Sequence, residues 1–158
     1  MANFKQKEDG GIAADIQVKK LNEYAQLPTR GSEQAAGYDL YAAIPDKIKI
    51  SPHTTVKIGT GLSFALPAGT FAAIFARSGI ATKRGLRPAN CVGACDSDYR
   101  GEYIVALHND TNLDQEIEPG ERIAQMILLP YIDMQFEEVD ELDETKRGAS
   151  GFGDSGKF

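Results

Sequence analysis

Asn90-Cys91-Val92-Gly93-Ala94-Cys95-Asp96-Ser97-Asp98-Tyr99-Arg100-Gly101-Glu102 stands between two apolar runs, residues 70–76 upstream and 103–107 downstream. Asp, Ser and Gly cluster where a tight turn needs them, so the stretch reads as the tip of a β-hairpin. It also gathers two carboxylates, an aromatic ring and an arginine, the materials of a pocket wall with a general base. Asp96 and Asp98 are two residues apart, which on an extended segment puts both side chains on one face about 6.6 Å apart. A carboxylate so placed takes a proton from water, or meets a metal-bound phosphate through water.

Working outward, Thr70-Phe71-Ala72-Ala73-Ile74-Phe75-Ala76 is almost continuously apolar, the mark of a strand covered on both faces. Alternation predicts further strands in residues 16–21, 35–40, 47–50, 56–58, 62–66 and 135–139. Pro67-Ala68-Gly69, Asn109-Asp110-Thr111-Asn112 and Glu118-Pro119-Gly120-Glu121 turn the chain. Ile123-Ala124-Gln125-Met126-Ile127-Leu128-Leu129, stopped by Pro130, is apolar on both faces; it is either a central strand or one buried against another subunit. Helical periodicity is nowhere longer than about two turns. Strands at roughly eight- to twelve-residue spacing imply an all-β sandwich or small distorted barrel. One domain is expected over 1–139, with 1–14 a flexible N-terminus. The acidic, then Gly/Ser-rich residues 140–158 form a mobile tail.

Composition narrows the function. A chain of 158 residues, 42% hydrophobic and 25% charged, builds one core. It has no membrane-length apolar run and no signal-peptide pattern, so a soluble cytoplasmic protein is expected. A net charge of −6 argues against nucleic-acid binding, though local arginines still accommodate an anionic small molecule. The two cysteines, Cys91 and Cys95, sit about 13 Å apart if extended, too far for a disulfide, and with only His53 and His108 beside them no zinc set forms. Both read as buried free thiols. Ser78 lacks the nucleophile-elbow pattern and no phosphate-loop motif is present. What remains is carboxylates plus Arg77, Arg122 and Arg147, each beside small or turn residues where guanidinium and backbone N–H groups approach an oxyanion together. With the glycine-rich aromatic tail they suggest a polyphosphate ligand under a lid.

Five short stretches, in order, resemble the five motifs of the homotrimeric dUTP pyrophosphatase (dUTPase) family. These are Ala36-Gly37-Tyr38-Asp39-Leu40, Arg77-Ser78-Gly79-Ile80-Ala81-Thr82-Lys83, Gly93 through Gly101, Gly120-Glu121-Arg122-Ile123-Ala124-Gln125, and Arg147 through Gly156. The resemblance implies a jelly-roll fold, a trimer with active sites shared between subunits, and Mg²⁺-dependent hydrolysis of dUTP to dUMP and pyrophosphate. By resemblance, Asp96 activates the attacking water and Tyr99 packs on the deoxyribose, excluding a 2′-hydroxyl. Asn90, the backbone of Gly93, Ala94 and Cys95, and the facing backbone at Ile104 read uracil. Arg77, Ser78, Gly79 and Gln125 hold phosphates. Asp39 orients water around the magnesium triphosphate or braces the site, and Asp98 braces the turn. Arg147, Phe152 and Gly153 close over a neighbour's site.

Three positions depart from the family pattern: Cys95 in place of Ile or Val, Ala76 in place of Gly or Pro, and Asp154 in place of Ser or Thr beside the γ-phosphate. The Cys95 departure makes a thiol-sensitive site an expectation. Two other functions fit the fold family, a dCTP deaminase and a nucleotide-switched regulatory protein. The Asp96-Ser97-Asp98-Tyr99 core and the full tail favour dUTP hydrolysis over the deaminase, and Asp96, Tyr99, Ser78 and Phe152 together argue for intact catalysis over a purely regulatory role.

Overall fold

The computed structural model describes residues 4–8 and 10–151. In chain order its elements are β1 (Phe4–Gln6), β2 (Ile12–Ala14), β3 (Gln17–Lys20), β4 (Thr29–Arg30), β5 (Tyr38–Tyr41), β6 (Ile48–Ile50), β7 (Thr55–Gly59), β8 (Leu62–Ala65), β9 (Thr70–Phe75), α1 (Ser78–Arg84), β10 (Leu86–Pro88), β11 (Gly93–Asp96), β12 (Ile104–Asn109), β13 (Gln115–Ile117) and β14 (Arg122–Pro130). A five-stranded sheet runs β11-β9-β14-β5-β4 and a three-stranded one β10-β12-β7, with two-stranded pairs β13–β6, β3–β8 and β1–β2. All the pairings are antiparallel. The architecture is a jelly-roll sandwich, and no sheet closes into a barrel.

The apolar residues of the two main sheets meet in one core. Leu40, Ala72, Ile123 and Ala124 come from the larger sheet, and Ile58, Leu86 and Leu107 from the smaller; all are fully buried. Each buried Leu or Ile contributes about 1.5–3 kcal/mol relative to exposure. β14 is a central strand, as its two-sided pattern requires, pairing with β9 on one edge and β5 on the other. Its C-terminal half from Met126 to Leu129 is nevertheless only half-buried.

Two expectations change, the hairpin tip and the strand at residues 135–139, and two further segments take local structure. The stretch around Asp96 is not a hairpin tip. β11 pairs with β9, whereas β12 pairs with β7 and β10, so the two arms belong to different sheets and the chain turns a corner between them. Residues 78–84, where the alternation loosens, form α1, closed by Gly85 in the left-handed region with its N–H on Ala81 and Ile80 carbonyls. Part of the N-terminal segment pairs as the hairpin β1–β2, turned by Gly10 at φ +81°. Residues 135–139 form no strand: from Tyr131 to Leu142 the chain is exposed, including Ile132, Met134 and Phe136. Alternation gives a segment a strand's two faces but not a neighbour to pair with, and this segment finds none among the described residues of its own chain.

Candidate active site

The corner opens a pocket of about 260 Å³, lined by Ala94, Cys95, Asp96, Tyr99, Glu102, Tyr103 and Ile104. Because β11 is the edge of its sheet, its outer N–H and C=O groups face no strand among the described residues. That leaves a backbone edge beside the cavity, with Asp96 at its end. Asp96 is exposed and Ser97–Asp98 turn the chain away. The turn is held by Tyr99 N–H to the Asp96 carbonyl (3.2 Å) and by Arg100 Nη1, which donates to the carbonyls of Ser97 (2.7 Å) and Tyr99 (3.0 Å). Arg100 braces the turn, and Asp98 makes no side-chain hydrogen bond among the described residues. The Tyr99 hydroxyl donates to the Glu102 carbonyl (3.2 Å), laying the ring across Gly101, where a Cβ would fall 2.3 Å from the Tyr99 hydroxyl oxygen.

Two wall residues carry no sequence signal beyond their place in the stretch. Glu102 accepts the Gly61 N–H (2.8 Å) and fills the space over Gly59, tying the corner to the β7–β8 turn. Tyr103 is 2% exposed, its ring packed on Phe64 (4.6 Å between centroids) and near Tyr99 (6.1 Å). Burial pushes its phenol well above the usual range, with the Cys95 sulfur adding. Burial, and then Asp96, pushes the Cys95 thiol up as well. Cys95 is half-buried as expected for a free thiol, but Cys91 is exposed, in the left-handed region at φ 61°. Asn90 begins this loop, exposed, its amide beside Gly93.

A second cluster lies where β5, β9 and β14 come together. Asp39 is 7% exposed; its Oδ1 accepts from Arg77 Nε (2.6 Å) and its Oδ2 from Arg122 Nη1 (3.2 Å). Arg77 caps α1 without a side-chain bond to it, so its guanidinium is free to turn to Asp39. Ser78 and Gly79 follow in the exposed first turn, where helix N–H groups have no intrahelical acceptor. Gln125 Nε2 donates to the Ala76 carbonyl (2.9 Å), fixing the exit of β9.

The two clusters are not brought together. Asp96 pairs with Phe71 on β9, and Gln125 with Phe75 at its other end. Counting on to Arg77, six residues at strand rise separate the levels of Asp96 and Arg77 by roughly 20 Å. Arg147 lies in an exposed turn, its Nε donating to the Ser150 carbonyl (2.9 Å), and makes no hydrogen bond to either cluster among the described residues. Phe152, Gly153 and Asp154 lie outside the described residues. A larger, mainly apolar cavity of about 830 Å³ between β1–β2 and β14 holds none of the predicted residues.

As a test for Mg²⁺, no group of three or more His, Cys, Asp or Glu is assembled among the described residues. Both oxygens of Asp39 are already taken by guanidinium groups. These residues do not fit a protein-held metal.

Fold and clusters define a class: a β jelly roll with a carboxylate at the end of an edge strand and an arginine site where β5, β9 and β14 come together. The family model described as dUTPase matches residues 23–156, and the chain belongs to the dUTPase family. It is 45% identical over 146 residues to the deoxyuridine 5′-triphosphate nucleotidohydrolase of Desulfitobacterium hafniense, covering 92% of this chain and 97% of that protein. The protein of the same name from Nautilia profundicola is 45% identical, over 90% of this chain and 99% of its own. Among solved structures, the dUTPase of Staphylococcus bacteriophage 80alpha with dUPNHPP superposes with a TM-score of 0.82 at 28% identity, covering 90% of this chain and 98% of that one.

Proposed function

We propose that the chain is a cytoplasmic dUTP diphosphatase, hydrolysing dUTP to dUMP and pyrophosphate and so keeping uracil out of DNA while supplying dUMP. The corner pocket carries this proposal: it gathers Asp96, the Tyr99 ring and an unpaired backbone edge around one cavity. Water attacks the α-phosphorus in line with the departing pyrophosphate while the Asp96 carboxylate takes its proton. No covalent intermediate forms. The backbone at Gly93, Ala94, Cys95 and Ile104, with Asn90, reads the base. Uracil and cytosine exchange donor for acceptor at that edge, so one fixed pattern accepts the first and leaves buried groups unpaired against the second. The Tyr99 ring lies against the sugar where a 2′-hydroxyl projects.

Arg77, Ser78, Gly79 and Gln125 take the phosphates, and Arg77 meets the charge that grows on the leaving group. Arg147, Phe152 and Gly153 cover the site. Mg²⁺ enters as part of the substrate, on the triphosphate, where it neutralises charge. Asp39 holds Arg77 and Arg122 in place. A dCTP deaminase is not favoured, since the relatives at 45% identity are named as dUTP nucleotidohydrolases.

The test is pyrophosphate release from dUTP, UTP, dTTP and dCTP. Turnover of dUTP at least about a hundredfold faster than the others is expected. Similar rates on all four would refute the base and sugar assignments.

We further propose a homotrimer with shared sites. Asp96 and Arg77 lie at opposite ends of β9, too far apart for one triphosphate to reach both within a chain. Half-buried β14 and the exposed apolar residues from Tyr131 to Leu142 supply surface for neighbours. Asp96→Asn and Arg77→Ala proteins, each inactive, should complement when unfolded and refolded together. Random mixing leaves about a quarter of the sites with both native residues, and activity should return to about that fraction. A monomer by sedimentation, or no recovery on mixing, refutes sharing.

A further inference from the structure

Glu102 lines the corner cavity, yet its carboxylate is engaged by the β7–β8 turn. Its Oε1 accepts the N–H of Gly61 (2.8 Å), a buried residue in the left-handed region at φ +64°. It makes no ion pair among the described residues, so it serves here as an acceptor and not as a charge. With it in place residue 59 has no room for a side chain: a Cβ on Gly59 would fall 2.3 Å from Oε1. Hydrogen bonds then close a ring back onto the same residue. Gly61 leads into Leu62, whose carbonyl accepts the Tyr103 N–H (2.8 Å). That N–H shares a rigid peptide plane with the Glu102 carbonyl, which accepts the Tyr99 hydroxyl (3.2 Å). Tyr99 therefore hangs on a peptide whose orientation Leu62 sets, and the Glu102 side chain holds the turn that leads into Leu62. Ser63 Oγ donates to the Arg100 carbonyl (2.7 Å) and Thr60 Oγ1 to that of Tyr103 (2.7 Å), but neither reaches the carbonyl that holds Tyr99.

We propose that Glu102 is a positioning residue for sugar selection: by fixing the β7–β8 turn it sets where the Tyr99 ring lies over the cavity, and so the room left for a 2′-hydroxyl. The inference rests on the assignment of this cavity to the base and sugar of dUTP. Removing the acceptor leaves the buried Gly61 N–H unpaired and opens the space over Gly59, so the turn shifts and Leu62 shifts with it. The Glu102 carbonyl then loses its alignment with the Tyr99 hydroxyl, and the ring is free to move off the sugar. Base reading has separate supports. The β11 edge is held by β9, and Ile104 is paired with Gly59 in the β12–β7 ladder. Because the carboxylate acts as an acceptor without a cation, an amide of the same length should take its place.

The experiment compares kcat/KM for dUTP, UTP and dCTP in Glu102→Ala, Glu102→Gln and Tyr99→Phe. In Glu102→Ala the preference for dUTP over UTP should narrow by about tenfold or more, while that for dUTP over dCTP stays within about twofold. Glu102→Gln should restore the dUTP-over-UTP ratio. Tyr99→Phe keeps the ring and removes only its bond to the Glu102 carbonyl. It should narrow the same ratio, and Glu102→Ala should add little to it in the double variant. Amide exchange at Gly61 should quicken in Glu102→Ala and not in Glu102→Gln. An unchanged dUTP-over-UTP ratio in Glu102→Ala, or unchanged exchange at Gly61, overturns the proposal. So does an equal fall in both ratios, which marks general loosening of the pocket, and so do independent effects of the two substitutions. Should Glu102→Ala fail to fold, full discrimination in Tyr99→Phe, or its loss in Glu102→Gln, overturns the proposal. Unsubstituted protein that hydrolyses dUTP and UTP alike refutes the sugar assignment itself, and the proposal falls with it. Unsubstituted protein that releases no pyrophosphate refutes the assigned reaction instead, and the affinities for dUMP, UMP and dCMP then give the same ratios.

Discussion

Asp96→Asn is expected to slow pyrophosphate release from dUTP by roughly a hundred- to ten-thousand-fold, the range a positioned general base supplies. Asn has the shape of Asp and retains hydrogen-bond acceptance, but it cannot take the proton from the attacking water. The fold has little stake in the change. Asp96 is exposed at the end of an edge strand, and its carboxylate makes no hydrogen bond or ion pair among the described residues. Only its backbone carbonyl is used, accepting the Tyr99 N–H that closes the turn. The defect should therefore fall on kcat, with dUMP affinity and thermal midpoint close to those of the unsubstituted protein. Single-turnover measurement separates the chemical step from product release. Retention of turnover within tenfold sinks the general-base role, and an equal loss of dUMP affinity shifts Asp96 from chemistry to binding.

The strands were legible because alternation and apolar runs are local, and β9, β12 and β14 fall within a residue or two of their predicted positions. Partnership is not local. Gly93–Asp96 and Ile104–Asn109 flank a seven-residue turn sequence that suits a hairpin, yet each arm finds a better-covered neighbour elsewhere, β9 for the first and β7 for the second. That difference makes a pocket, since two strands paired across a turn leave no cavity between them. α1 was hidden by Gly79 and Thr82, poor helix formers in a segment of only seven residues, and is fixed by its ends. Asp96 and Tyr99 stand out in sequence because acidic and aromatic side chains at a glycine-rich bend need a reason to be there. Glu102 gives no such signal: its role depends on Gly59 and Gly61, about forty residues away, coming beneath it. Cys91 and Cys95 look alike in sequence, and only the turn between them exposes one thiol and half-buries the other.

Asp39→Ala is expected to cost both stability and rate. Its carboxylate is nearly buried, at 10% side-chain exposure, between Arg77 at 26% and Arg122 at 48%. Breaking a fully buried pair by removing one partner costs about 3–5 kcal/mol, because the remaining charge is left uncompensated. Here water reaches both guanidinium groups, Arg122 most of all, so about 2 kcal/mol is the appropriate magnitude after screening. For a chain of this length that lowers the thermal midpoint by roughly 4–8 °C. The rate should fall for a separate reason. Arg77 Nε is held at 2.6 Å by Asp39 and its Nη1 reaches the Arg122 carbonyl at 3.4 Å, so losing the first bond frees the guanidinium to turn away from the phosphates. A displaced donor to the developing charge costs up to about a hundredfold in kcat. Asp39→Asn separates this from the alternative, in which Asp39 orders water around the magnesium triphosphate. A brace loses its charge in Asn, so stability and rate drop together and added Mg²⁺ restores neither. A water-ordering carboxylate leaves the thermal midpoint of the nucleotide-free protein unchanged and raises the Mg²⁺ concentration needed for half-maximal rate. Recovery of full rate at high Mg²⁺ with an unshifted midpoint would assign Asp39 to the substrate's metal rather than to Arg77.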